Sequence, residues 1–102
     1  MSVDVAEKTK IKINVNIKPP DLYCVIFYND EQTPFNFITV TLVSIFKLSL
    51  ENATAIAEKI DQTGSGVVMG GLTKELATHL RELVLIDAKN NGFPLKVEIM
   101  PE

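Results

Sequence analysis

Leu22 to Tyr28 reads LYCVIFY, a β-branched and aromatic run that stops at the turn formers Asn29-Asp30, and it predicts a first strand. Residues 34–46 (PFNFITVTLVSIF) carry two periods at once. ITVTL alternates as a strand does, whereas Ile38, Leu42 and Ile45 recur at helical spacing. A helix is the expectation, because Thr33 is a good N-cap and Pro34 then stands at N1, where a missing N–H costs nothing. Ser49 caps a second helix with Glu51 in its first turn and Leu50, Ala53, Ala57 and Ile60 on one face; Gly64 and Gly66 end it. Val67 to Met69 reads as a short strand running into Gly70-Gly71. Thr73 then caps a third helix with an apolar stripe of Leu76, Leu80, Leu83 and Val84, which Asn90-Asn91-Gly92 terminates and Pro94 keeps from resuming. Leu95, Val97 and Ile99 alternate with Lys96, Glu98 and Met100 in a last, half-buried strand. The order β-α-α-β-α-β predicts an α+β domain, a small three-stranded sheet packed against three helices.

Ahead of this body, Ile11, Ile13, Val15 and Ile17 alternate with Lys12, Asn14, Asn16 and Lys18. That pattern fits an added edge strand and equally a tail that orders only against a partner. Pro19-Pro20 lacks backbone donors and favours extended geometry before it, so it divides an N-terminal extension, residues 1–20, from a core domain, residues 21–102. The extension is basic, with Lys8, Lys10, Lys12 and Lys18 set against Asp4 and Glu7, and the body is acidic.

At 102 residues the chain is long enough for one core, and 46% hydrophobic with 23% charged residues is an ordinary globular balance. A net charge of −3 removes the global electrostatic footprint of a nucleic-acid binder. The longest nearly apolar run, Thr39 to Phe46, is too short for a bilayer, and residues 1–20 lack the apolar centre of a secretory signal. The single Cys24 excludes an internal disulfide framework and fits a reducing, cytoplasmic setting. Within LYCVIFY it is expected to be buried and inert.

Little here promises catalysis. His79 has no second His or Cys at ligand spacing, so a surface helix residue is expected rather than a metal ligand or a relay, and no cofactor is implied. Gly64, Gly66, Gly70 and Gly71 lack the Gly-Lys-Ser/Thr ending of a phosphate cradle. Asn29-Asp30-Glu31-Gln32-Thr33-Pro34 is different, because it gathers an amide carbonyl and two carboxylates between a strand end and a helix start. Alone, it reads as a helix-capping turn or as a binding corner.

That segment also carries a family resemblance. PPDLYCVIFYNDEQTPFNFI resembles the start of the core domain of the ClpS family, the adaptors that deliver N-degron substrates to the Clp AAA+ protease, whose usual pattern is K-P-P-x-x-Y-x-V-x-L-x-N-D-D-x-T-P-M-E-F-V. The likeness continues through NATAIAEKI, Gly64-Ser65-Gly66, Thr73 to Ala77 and Ala88 to Leu95, with a one-residue insertion near Gly70-Gly71. It implies a non-enzymatic, monomeric protein that holds the free α-amine of a substrate beginning with Leu, Phe, Tyr or Trp. Asn29 and Asp30 match the amine-binding positions, Glu31 the second acid, and Thr33 the threonine at the pocket rim. Phe35, Ile38, Ala57, Ile60 and Leu95 fall at positions lining the side-chain pocket. Glu75 and Leu80 fall where the family docks on the N-domain of its Clp ATPase, Leu80 in place of a lysine.

The departures define an alternative. Asp61 stands where the family has a pocket histidine, adding a third acceptor for the amine, while Phe35 and Ala57 replace two pocket methionines. A modulator that occupies the Clp N-domain with an altered or self-filled pocket is therefore the second reading. A factor-docking module of similar fold, like the C-terminal domain of the ribosomal stalk protein, is the third. An enzyme using Asp30, Glu31 or Asp61 ranks last, for want of a nucleophile, metal set or cofactor loop.

Overall fold

A computed structural model describes residues 21–102, and the expectation for the 1–20 extension lies outside the described residues. The elements are β1 (Tyr23–Tyr28), α1 (Phe35–Ser44), α2 (Leu50–Thr63), β2 (Ser65–Leu72), α3 (Lys74–Asn90) and β3 (Lys96–Pro101). They form one antiparallel sheet in the order β2-β1-β3, with the first strand in the centre. Period-2 alternation sends Val25 and Phe27 of β1 into the core, while Cys24, Ile26 and Tyr28 on its other face are only half-buried. Cys24 is thus less enclosed than its apolar neighbours in sequence suggested, because the helices cover one face of the sheet.

The ambiguous stretch is a helix. Its buried positions, Ile38, Thr39, Thr41 and Leu42, follow the helical spacing, and Phe46 just beyond α1 meets Phe27 edge-on with ring centroids 5.8 Å apart. The N-cap is Pro34 rather than Thr33: the chain turns helical one residue later than expected, and the carbonyl of Pro34 accepts from Phe37 and Ile38. Thr33 is engaged elsewhere, as described below. Within α1 the Thr41 hydroxyl is buried without a hydrogen-bond partner among the described residues. Thr41→Val keeps the shape and removes that desolvated hydroxyl, so it is expected to raise stability by about 1 kcal/mol, read as a higher urea midpoint at unchanged m-value.

Ser49 and Thr73 cap α2 and α3 as expected, each hydroxyl accepting from the N–H three residues on. Two predicted helix faces are corrected. Leu50 is 67% exposed, and α2 buries Ala53, Ala57 and Ile60; on α3 the inward residues are Ala77, Val84 and Ala88, with Leu80 half-buried, while Leu76 and Leu83 face outward. α2 ends at Gly64 alone, in a left-handed conformation (φ 97°). Gly66 already belongs to β2, which is longer than the expected Val67–Met69. Its register with β1 passes from Val25↔Met69 to Tyr23↔Leu72, a bulge that absorbs an extra residue at Gly70-Gly71, where the sequence called for an insertion.

Candidate functional site

The site grows from the turn after β1. Asp30 Oδ1 accepts from the N–H of Gln32 (2.8 Å) and of Thr33 (2.7 Å), and Oδ2 accepts from the Thr33 hydroxyl at 2.7 Å. This is why Thr33 does not cap α1: its side chain closes the turn instead. Partial burial works against the Asp30 charge, but the bonds from the Thr33 hydroxyl and the two N–H groups outweigh it and hold the pKa below the usual carboxylate value. Because the folded value is depressed, this contribution to stability is fully present above the unfolded value of about 4 and is lost as pH falls through the folded value. Between pH 5 and 2.5 the wild type should therefore lose more stability than Asp30→Asn, which has no charge to titrate; parallel urea midpoints for the two proteins would contradict it.

A backbone bond from Asn29 N–H to the carbonyl of Gly64 (2.9 Å) ties this turn to the end of α2. The left-handed cap at Gly64 turns the chain there, and a Cβ on Gly66 would stand 3.0 Å from Ile60 Cγ1, so glycine lets Ile60 settle against β2. Phe37 and Phe93 meet edge-on with centroids 5.0 Å apart, holding the segment after α3 against α1 just before Leu95.

These ties surround an open cleft of about 370 Å³. Its lining takes Asn29, Asp30, Glu31 and Thr33 from the turn, Phe35 and Ile38 from α1, Ala57, Ile60 and Asp61 from α2, and Leu95 from the approach to β3. Every residue expected for the amine site, pocket and rim is thus brought to one cavity. Ile38, Ala57, Ile60 and Leu95 are buried, while Asn29, Glu31 and Asp61 are exposed. Phe35 stands 45% exposed, and the cleft remains open beside it. The chemistry on offer is an apolar wall with several anionic and carbonyl acceptors beside it. Glu75 and Leu80 lie elsewhere, on α3, which contributes nothing to the cleft.

One lining residue was not anticipated: Tyr28, the last residue of β1. Its hydroxyl donates to Glu98 Oε1 at 2.9 Å, and Lys96 Nζ lies 4.9 Å from its ring centroid. An aromatic immediately before Asn29-Asp30 was the available signal. Strand parity assigns it to the uncovered face of the sheet, and only the end of β1 at the turn brings it to the cleft. Among the described residues no group of three or more His, Cys, Asp or Glu has metal-binding geometry, and no helix is long and apolar enough to cross a membrane.

Comparison with known proteins converges. The sequence profile of the family described as ATP-dependent Clp protease adaptor protein ClpS matches residues 18–98. The ATP-dependent Clp protease adapter protein ClpS of Treponema denticola is 40% identical over 80 residues, 78% of either chain. That of Burkholderia cenocepacia is 36% identical over 80 residues, 78% of this chain and 76% of the relative. Among solved structures, Agrobacterium tumefaciens ClpS2 bound to L-phenylalaninamide superposes with a TM-score of 0.78 at 31% identity, covering 82% of this chain and all of the other. The profile runs from the lysine before the Pro pair into the last strand, relatives and fold point the same way, and the chain belongs to the ClpS family of Clp protease adaptors, which are not enzymes.

Proposed function

We propose that the cleft grips the first residue of a substrate protein, taking its free α-amine on Asn29, Asp30 and Asp61 and its large apolar side chain (Leu, Phe, Tyr or Trp) among Phe35, Ile38, Ala57, Ile60 and Leu95, with Glu31 and Thr33 at the rim. The observation that carries this reading is the opening of acceptors and apolar wall into one cavity of about 370 Å³, near the lower end of the range for small-ligand sites. L-phenylalaninamide, which the similar ClpS2 structure holds, is the same kind of ligand, a free amine beside a benzyl side chain. The Asp30 bonds leave room for the amine. Oδ1 already has two donors, but Oδ2 has one, so one of its lone pairs remains for a cation. The self-filled alternative needs Phe35 inside the pocket, and its exposure favours binding instead.

For delivery, Glu75 and Leu80 on α3 form the face that meets the N-domain of the Clp ATPase. The adjacent exposed Leu76 adds apolar area there, and separation from the cleft allows substrate and protease to be held at once. The protein acts in this reading as a cytoplasmic monomer.

Fluorescence anisotropy with Leu-, Phe-, Tyr- and Trp-initiated peptides and their N-acetylated counterparts tests the grip. Acetylation is expected to abolish measurable binding, and equal affinity of free and acetylated peptides would reject the amine anchor. Affinity should also fall above about pH 8, as the ammonium loses its proton.

A further inference from the structure

One face of the sheet has no covering layer among the described residues. Strand alternation turns Cys24 and Ile26 of β1 away from the core, and the register sets Val67 beside Ile26 and Met100 beside Cys24. Val67 is 52% and Met100 44% exposed, so these residues make an apolar strip along the central strand that is open to water. An antiparallel sheet with one solvated face usually carries polar residues there, and this strip breaks that pattern.

The chain itself supplies a segment of matching pattern. Residues 1–20 join the body just before Leu22, whose carbonyl accepts from the Glu102 N–H at 2.8 Å, at the start of β1. At about 3.3 Å per residue Ile11 to Ile17 span the length of β1, and residues 18–22 reach up to about 16 Å, enough to reverse direction and rise the roughly 10 Å between packed layers. We propose that residues 11–17 lie extended across the strip, with Ile11, Ile13, Val15 and Ile17 against it and Lys12, Asn14 and Asn16 toward water. Charge works in the same direction, since the extension is basic and the body acidic, and Lys18 falls beside Glu102 at the junction. Strand addition is the poorer arrangement. On β3 the Val97 carbonyl is already taken by Arg81 Nε (2.8 Å) and Pro101 has no N–H, and a strand added to the edge of β2 would leave the strip bare.

Cys24, the single cysteine of the chain, lies within the strip and reports whether it is covered. Its alkylation by iodoacetamide is followed in the folded full chain and in two double variants that alter only the extension. Ile13→Asn/Val15→Asn is expected to speed the reaction about tenfold, the scale of one lost buried aliphatic side chain, while Asn14→Ser/Asn16→Ser leaves it unchanged. Equal rates in all three proteins overturn the proposal. A wild-type rate that falls as protein concentration rises assigns the cover to a second copy and overturns it as well. In a second measurement, with oxidised glutathione as the oxidant, Val15→Cys should close an intramolecular disulfide with Cys24 about fivefold faster than Asn16→Cys, because only the first faces the strip. Equal closure rates, which an unattached segment would give, overturn the proposal. Neither measurement involves the cleft, so the outcome is independent of the amine-anchor reading.

Discussion

Asp30→Asn is expected to weaken binding of a Leu- or Phe-initiated peptide by about tenfold to a hundredfold, the scale of a lost charge-assisted hydrogen bond. Asn keeps one carbonyl oxygen, which can go on accepting from the N–H groups of Gln32 and Thr33 as Oδ1 does now. What it loses is the anionic Oδ2, and with it the acceptor that both closes the turn onto Thr33 and has a lone pair free for the ammonium. Asp30→Ala removes all three bonds and should cost at least as much affinity together with some stability. The pair of variants therefore separates grip from scaffold. A folded Asp30→Asn protein with a modestly lowered thermal midpoint and strongly reduced affinity assigns the residue to the amine, and unchanged affinity in both variants would exclude Asp30 as the anchor.

The second large effect concerns the apolar end of the cleft. Ala57 is only 2% exposed yet lines the open cavity, so its small side chain is where the pocket has room. Ala57 belongs to the core cluster as well as to the cavity lining, and an Ala57→Phe ring turned into the cavity fills the volume that a substrate side chain would take. Burial of a Leu or Phe side chain contributes about 1.5–3 kcal/mol, so losing it should weaken binding by about tenfold to a hundredfold. Circular dichroism melting checks that the variant remains folded. Anisotropy with the Leu peptide reads the effect, and wild-type affinity in a folded Ala57→Phe protein would place the substrate side chain outside this cavity. Leu95→Ala, which widens the same cavity, gives a second reading: preference should move toward Trp-initiated peptides.

The order of elements, both serine and threonine caps on α2 and α3, and the turn at Asn29-Asp30 were legible in the chain because each rests on local chemistry. A hydroxyl three residues before an N–H, a Gly after the last turn and an Asn-Asp pair at a strand end act within a few residues of themselves. The shared lining of Asp30, Ala57 and Leu95 was expected only through the family resemblance, since no local period relates positions so far apart.

Other features were settled by tertiary packing. PFNFITVTLVSIF fits two periods, and the contact of Phe46 with Phe27 and the burial of Ile38 and Leu42 decide for helix. Thr33 has two competing acceptor and donor roles, and the nearby Asp30 carboxylate takes its hydroxyl before the helix N-terminus can. Leu76 and Leu83 have the spacing of a core stripe, but the face of α3 that packs inward carries Ala77, Val84 and Ala88. Tyr28 enters the cleft because β1 ends where α2 is tied back by Asn29 and Gly64. Sequence alone thus determined which elements form and where most of them stop, since those depend on neighbours along the chain. Which face of each helix is buried, and which side chains share the cleft, depended on contacts between residues far apart in sequence, and only the folded structure fixes those.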